Sequence, residues 1–165
     1  MSDAGEVRWD GPTLAGMFRP VRRLTIRLLD AASDAQLRWT PEGLTNHALW
    51  RTGHCLWVMD DVLIKPVTGR SELPGGWAAT FEMDGRPPNE IDAWPERSAL
   101  RDALIAQEAR VVALLVRGAA ERLMQPYGDW LSVGDFVVHG IQDEAMHQGE
   151  TYLSLKMQGV NIGYR

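Results

Sequence analysis

The chain has 165 residues, 45% hydrophobic and 24% charged, and 17 Lys and Arg against 22 Asp and Glu give it a net charge of −5. That is the length and make-up of a single globular domain spanning 1–165, with enough apolar residues to build a core without staples. The acidic balance argues against nucleic acid or an anionic membrane as the main partner, and Cys55, the single cysteine, excludes an intramolecular disulfide. No apolar stretch reaches the roughly 18 residues of a membrane span, and the start lacks a signal peptide's charged-then-apolar pattern. The expected location is the cytoplasm.

Residues before Gly11 read as a loose arm. From Pro12 to Ala32 the positions Leu14, Met17, Phe18, Val21, Leu24, Ile26, Leu28 and Leu29 follow a helical period, with Pro12 suited to a helix start. Pro20 lies inside this first helix and should kink or split it. Arg19, Arg22, Arg23 and Arg27 form a basic cluster that reads as its solvated face. Leu37 to Pro41 is a connector. A second helix is predicted from a cap at Thr45 or Asn46 to Ile64, stopped by Pro66 and Gly69. The region from Gly69 to Pro95 is rich in Gly and Pro, has little periodicity, and reads as a long crossover whose length also fits a lid-like loop. A third helix is predicted from about Glu96 to Gly118, with Ser98 capping it or just inside. Leu123 to Trp130 is a loop. Ser132 is a good cap for a fourth helix reaching about Gln158, with Gly159 ending it. No strand pattern competes, so the expected fold is all-α: a four-helix bundle with a long crossover between helices two and three.

The chemistry-bearing residues fall on helices two and four. Asp143 and His147 are four apart in HGIQDEAMHQGE, which on a helix is a rotation of about 40° and a Cβ separation of about 6 Å. His54 sits in the apolar run GHCLWVM. Taken alone, His54 reads as a core histidine and the Asp–His pair as a solvated surface pair. Together they make two imidazoles and a carboxylate, a set that leaves coordination positions open and suits a catalytic divalent metal. The third position has rivals. Glu144 lies three before His147, on the other side of the ligand face. His139 lies eight before it, roughly 12 Å along the axis at about 1.5 Å per residue. His47 and Asp61 flank His54 by seven residues on either side, roughly 10 Å away and too far to share an ion. Cys55, about 100° round from His54, reads as a small buried apolar residue. Trp50 and Trp57 flank His54 and could wall a pocket, though core packing is the simpler role.

The segment LSVGDFVVHGIQDEAMHQGE resembles the last bundle helix of the DinB-like (DinB/YfiT-like) metalloenzyme superfamily, in which a His, three residues and a second His precede a short Gly-containing run and a glutamine. TNHALWRTGHCLWVMDDVL resembles that family's second helix, where a Gly-His pair supplies the remaining ligand. The resemblance implies one divalent metal held by side chains of helices two and four, with His54 and His147 at two ligand positions. Asp143 stands where most members have histidine, and Glu150 where the family usually has glutamine.

The same resemblance implies thiol-related chemistry, as a metal-dependent thiol S-transferase or hydrolase acting on a small molecule, with a low-molecular-weight thiol as partner. Glu144 or Glu150 would serve as general base if it pointed inward; both read as surface residues, and no catalytic residue is assigned. A non-catalytic metal-binding, structural or sensor bundle is the other reading. Two imidazoles and a carboxylate fit zinc, nickel or iron equally. Relatives' habits, seven tryptophans and an apolar surplus point to a homodimer through bundle helices.

Overall fold

The computed structural model describes residues 9–83, 94–129 and 132–163. Among them every element is helical: α1 (Gly11–Asp30), α2 (Asp34–Arg38), α3 (Ala48–Met59), a π-helical turn (Asp60–Ile64), α4 (Lys65–Thr68), α5 (Trp77–Phe81), α6 (Arg97–Arg117), α7 (Ala120–Leu123) and α8 (Val133–Met157). The all-α expectation holds. The longest elements are α1, the continuous rod from α3 through the π-turn to α4, α6 and α8; α1 packs on α6 and α8, and α3 packs on α8.

Local sequence explains the boundaries, with corrections. Asp10 caps α1 by accepting from the Thr13 amide at 2.9 Å. The helix runs unbroken through Pro20, contrary to the expected kink or split. Pro20 faces solvent, and Gly16, four residues back, has open space around its Cβ position. The missing hydrogen bond therefore lies on the exposed face, where the freed carbonyl is open to solvent. The cap of α3 is His47, not Thr45 or Asn46: its Nδ1 accepts from the Trp50 amide at 3.0 Å. Burial pushes the His47 imidazole down to about 4, so it stays neutral and able to accept. Pro66 does not stop this rod, because the π-turn just before it widens the helix where the proline ring would meet the preceding turn. The stop is Gly69, at φ 81°. Ser98 lies inside α6, and Ser132 caps α8 as expected.

The crossover contains α5, which its composition did not foretell; its residues 84–93 lie outside those described. The long helices bury two apolar clusters. One gathers Leu14, Phe18, Met59, Leu63, Val111, Val137 and Ile141; the other gathers Leu28, Leu49, Leu56, Phe81, Leu104 and Leu155. Between them each long element contributes polar side chains: Arg22 and Thr25 from α1, His54 from α3, Gln107 from α6, and Glu144 and Gln148 from α8, all buried.

The Arg22 end of this layer corrects the reading of the basic cluster. Arg22 is fully buried and grips the equally buried Glu144 through Nε–Oε1 at 2.8 Å and Nη2–Oε2 at 2.9 Å. Its remaining donors reach Gln107 Oε1 and the Cys55 carbonyl, while the Thr25 hydroxyl donates to Glu144 Oε1 at 2.6 Å. Arg19, Arg23 and Arg27 are exposed, as expected of a solvated face.

Candidate metal centre

The site sits in this polar layer, where α3 meets α8. His54 and His147 each place Nε2 3.7 Å from Oδ2 of Asp143, and the ligand atoms of all three residues lie within 4.8 Å of one another. At 3.7 Å these atoms are too far apart to hydrogen-bond. Asp143 Oδ2 is nevertheless buried and has no hydrogen-bond partner. A lone carboxylate oxygen left dry between two imidazole nitrogens is costly unless a cation satisfies it. Ion–ligand distances of about 2.0–2.2 Å put ligand atoms about 3–4 Å apart, so the spacing suits one small ion.

The other nitrogen of each imidazole is committed. His54 Nδ1 lies 2.6 Å from the Phe81 carbonyl oxygen, which can only accept. The proton is therefore on Nδ1, and the Nε2 lone pair faces Asp143. Burial, the largest influence, pushes the His54 pKa down, opposed by the Phe81 carbonyl and then the Asp143 charge; the neutral, ligating form is favoured. His147 Nδ1 donates to Glu150 Oε2 at 2.8 Å, and that oxygen also takes the Arg51 Nε at 3.0 Å. A carboxylate or carbonyl behind each ligating histidine is the arrangement that fixes ring orientation and raises ligand basicity.

Packing holds the His54 ring in place. Trp50 stacks on it at 4.7 Å and 16°, and Trp57 at 5.4 Å and 25°. Gly53 lets α5 approach, since a Cβ there would come 2.2 Å from Phe81 Cε1. That approach brings the Phe81 carbonyl to Nδ1. On α8, Gly140 plays a similar part: a Cβ would come 2.8 Å from Val62 Cγ2. Beside Asp143 opens a cavity of about 420 Å³, walled by Trp57, Val62 and Phe136, with Asp61 and His139 also on its lining.

A family model, described as DinB superfamily, matches residues 17–151. The chain belongs to the DinB superfamily. No curated protein and no solved structure matched. The matched span includes His54, Asp143 and His147.

Of the sequence-predicted residues, His54, Asp143 and His147 converge, and these three could hold a metal ion. The rivals lie elsewhere. Glu144, expected at the surface, is fully buried, with both oxygens taken by Arg22 and Thr25, so it is no free base or ligand. His139 is exposed at the cavity. His47 is a helix cap with its ring edge-on to Trp94 at 4.8 Å. Cys55 is buried, and burial pushes its thiol well above the ordinary range, which makes it inert as expected. Glu150 is partly exposed and belongs to His147, not to bulk solvent alone. Two supporting residues escaped the motif reading. Phe81 lies in a stretch without periodicity. Arg51 had a visible signal: it is the one formally charged residue in the mostly apolar stretch ALWRTGHCLWVM, and its side chain proves buried.

Among the described residues, no helix is long and apolar enough to cross a membrane.

Proposed function

We propose that this chain is a divalent-metal-dependent enzyme acting on a small molecule, as a thiol S-transferase using a low-molecular-weight thiol or as a hydrolase. The observation that carries the reading is the partnerless, buried Asp143 Oδ2 between two imidazole nitrogens, at the wall of a cavity large enough for a substrate. His54, Asp143 and His147 are the metal ligands in this reading. Three protein ligands leave coordination positions open, as catalytic sites do. A divalent ion bound there supplies Lewis acidity, which makes a nucleophile of water or a thiol near neutral pH.

The chain's own residues do the rest. Phe81 and Glu150 hold the imidazole protons on Nδ1, so both Nε2 atoms face the same point. Trp50 and Trp57 cover the His54 ring and exclude water from it. Arg51 neutralises Glu150 and keeps it aimed at His147. The cavity favours catalysis over a purely structural role, because a structural site is closed and needs no adjoining space. We propose that the molecule pairs as a homodimer and works in the cytoplasm.

The test has two parts. Elemental analysis of untagged, remetallated protein should find about one divalent ion per chain, and none in a His54→Ala/His147→Ala double variant. Metal-loaded wild type should then turn over members of a panel of thiols, electrophiles and hydrolysable esters. Equal metal content in wild type and double variant ends the site assignment.

A further inference from the structure

Asp61 and His139, each too far along its helix to touch the ion, meet in one cavity beside Asp143. Asp61 is seven residues beyond His54 and in the π-turn, roughly 10 Å along the axis; His139 is one turn from Asp143 on α8. The cavity therefore runs lengthwise between the α3 rod and α8, with Asp143 at one end and Asp61 towards the other. Its sides are Trp57, Val58, Val62 and Phe136. Glu82, exposed just past α5, adds a second carboxylate to the lining. Among the described residues lining it there is no Lys or Arg.

We propose that this cavity selects a small organic cation: an amine on an apolar body that lies along Trp57 and Phe136, with its ammonium at Asp61 and its reacting end at Asp143. The proposal deepens the function argued above, on which it rests for the word substrate. Three arguments carry it. A cleft lined by one sign of charge between apolar walls concentrates the opposite sign. Aromatic rings beside the carboxylates favour an ammonium further, through their electron-rich faces. Asp61 and Asp143 line the same cavity, so one molecule can touch both. Lys65 does pair with Asp61 at 3.2 Å, but its side chain is 54% exposed, and such a surface pair exchanges readily for a better-placed cation.

The experiment measures binding of 4-phenylbutylamine, 4-phenylbutanol and 4-phenylbutyrate by ligand-observed NMR, first on chelated protein and then on zinc-loaded protein. On chelated protein the ranking reads the cavity walls alone, because no ion is present to attract the carboxylate. The amine should bind on the order of tenfold tighter than the carboxylate, with the alcohol between. Asp61→Asn/Glu82→Gln should bring amine and carboxylate near parity. Raising salt on the wild type should also compress the ranking, which keeps the test open if the double variant folds poorly. A carboxylate that binds as well as the amine, an amine that does not bind at millimolar concentration, or a ranking indifferent to both salt and the double variant overturns the proposal. Metal content is measured separately. Loss of the amine ranking with metal binding intact sinks only this inference, and loss of metal binding with the ranking intact sinks only the function above.

Discussion

Gly53→Ala tests how the first histidine is held. A Cβ on Gly53 would stand 2.2 Å from Phe81 Cε1 and 2.3 Å from its Cζ. Phe81 is fully buried, against Trp77 at 5.8 Å and Trp94 at 5.9 Å, so its ring has little freedom to swing aside. Overpacking of this kind costs about 1–3 kcal/mol. Removing a helix-interior glycine returns about 1 kcal/mol. The net destabilisation is about 0–2 kcal/mol, a Tm drop of up to about 8 °C for a chain of this size. Relief must come from α5 moving outward. A shift of about 1 Å takes the Phe81 carbonyl from 2.6 Å to the limit of hydrogen bonding with His54 Nδ1. Loss of such a supporting contact weakens metal binding about 10–100-fold, or about 1.4–2.7 kcal/mol.

Calorimetry gives the Tm, and competition with a chromophoric chelator gives the Kd. Gly16→Ala is the control. Gly16 is also helical, but its Cβ position meets nothing within 4 Å, so that variant should gain stability and keep its Kd. A Gly53→Ala protein with wild-type Tm and Kd refutes the argument that Gly53 exists to admit Phe81.

Four further outcomes are expected. Arg22→Ala leaves Glu144 as an uncompensated buried charge and should cost about 3–5 kcal/mol in urea denaturation; a loss under about 1 kcal/mol would show that water reaches the layer. His47 has its pKa lowered from 6.5 to about 4 in the fold, so the unfolded chain binds more protons between those values and stability falls as pH drops through that window. His47→Asn keeps a capping oxygen and should flatten that slope; melts from pH 7 to 4 with unchanged slopes would refute it. Chelation should leave far-ultraviolet circular dichroism helical, because both apolar clusters form without the triad; loss of most helicity would make the metal structural. Met146, Leu153 and Met157 lie along one stripe of α8, 56%, 61% and 62% exposed, and a dimer would cover them. Light scattering at micromolar concentration should give twice the chain mass, and Leu153→Glu should halve it.

What could be read without a structure was what repeats along a helix. The period of 3.6 places α1, α3, α6 and α8 to within a few residues, and the four-residue step from Asp143 to His147 puts two ligand groups on one face. Composition hid what depends on approach between distant segments. Phe81 meets His54 across 27 residues, and only the absent side chain of Gly53 hints at it. Pro20 and Pro66 were overread, since a proline breaks a helix only when its lost hydrogen bond cannot be served by water or a widened turn. Arg22 was underread. It falls on the stripe of Phe18, Thr25 and Leu29, and a charge on a core stripe calls for a buried partner.

That partner accounts for where the site lies. Asp143 and Glu144 are neighbours on α8, about 100° apart around the helix. Glu144 faces α1 and is anchored by Arg22; Asp143 faces α3 and lies between the histidines. Rotating α8 to bring Glu144 to His54 would strand Arg22 without its carboxylate. Rotating it the other way would carry Asp143 out toward solvent. The buried ion pair adds little net stability by itself, because desolvation offsets most of its attraction. Its effect here is on register: it sets the rotation of α8 at which Asp143 and His147 present their ligand atoms to His54, and it leaves Asp143 rather than Glu144 as the carboxylate available to a metal.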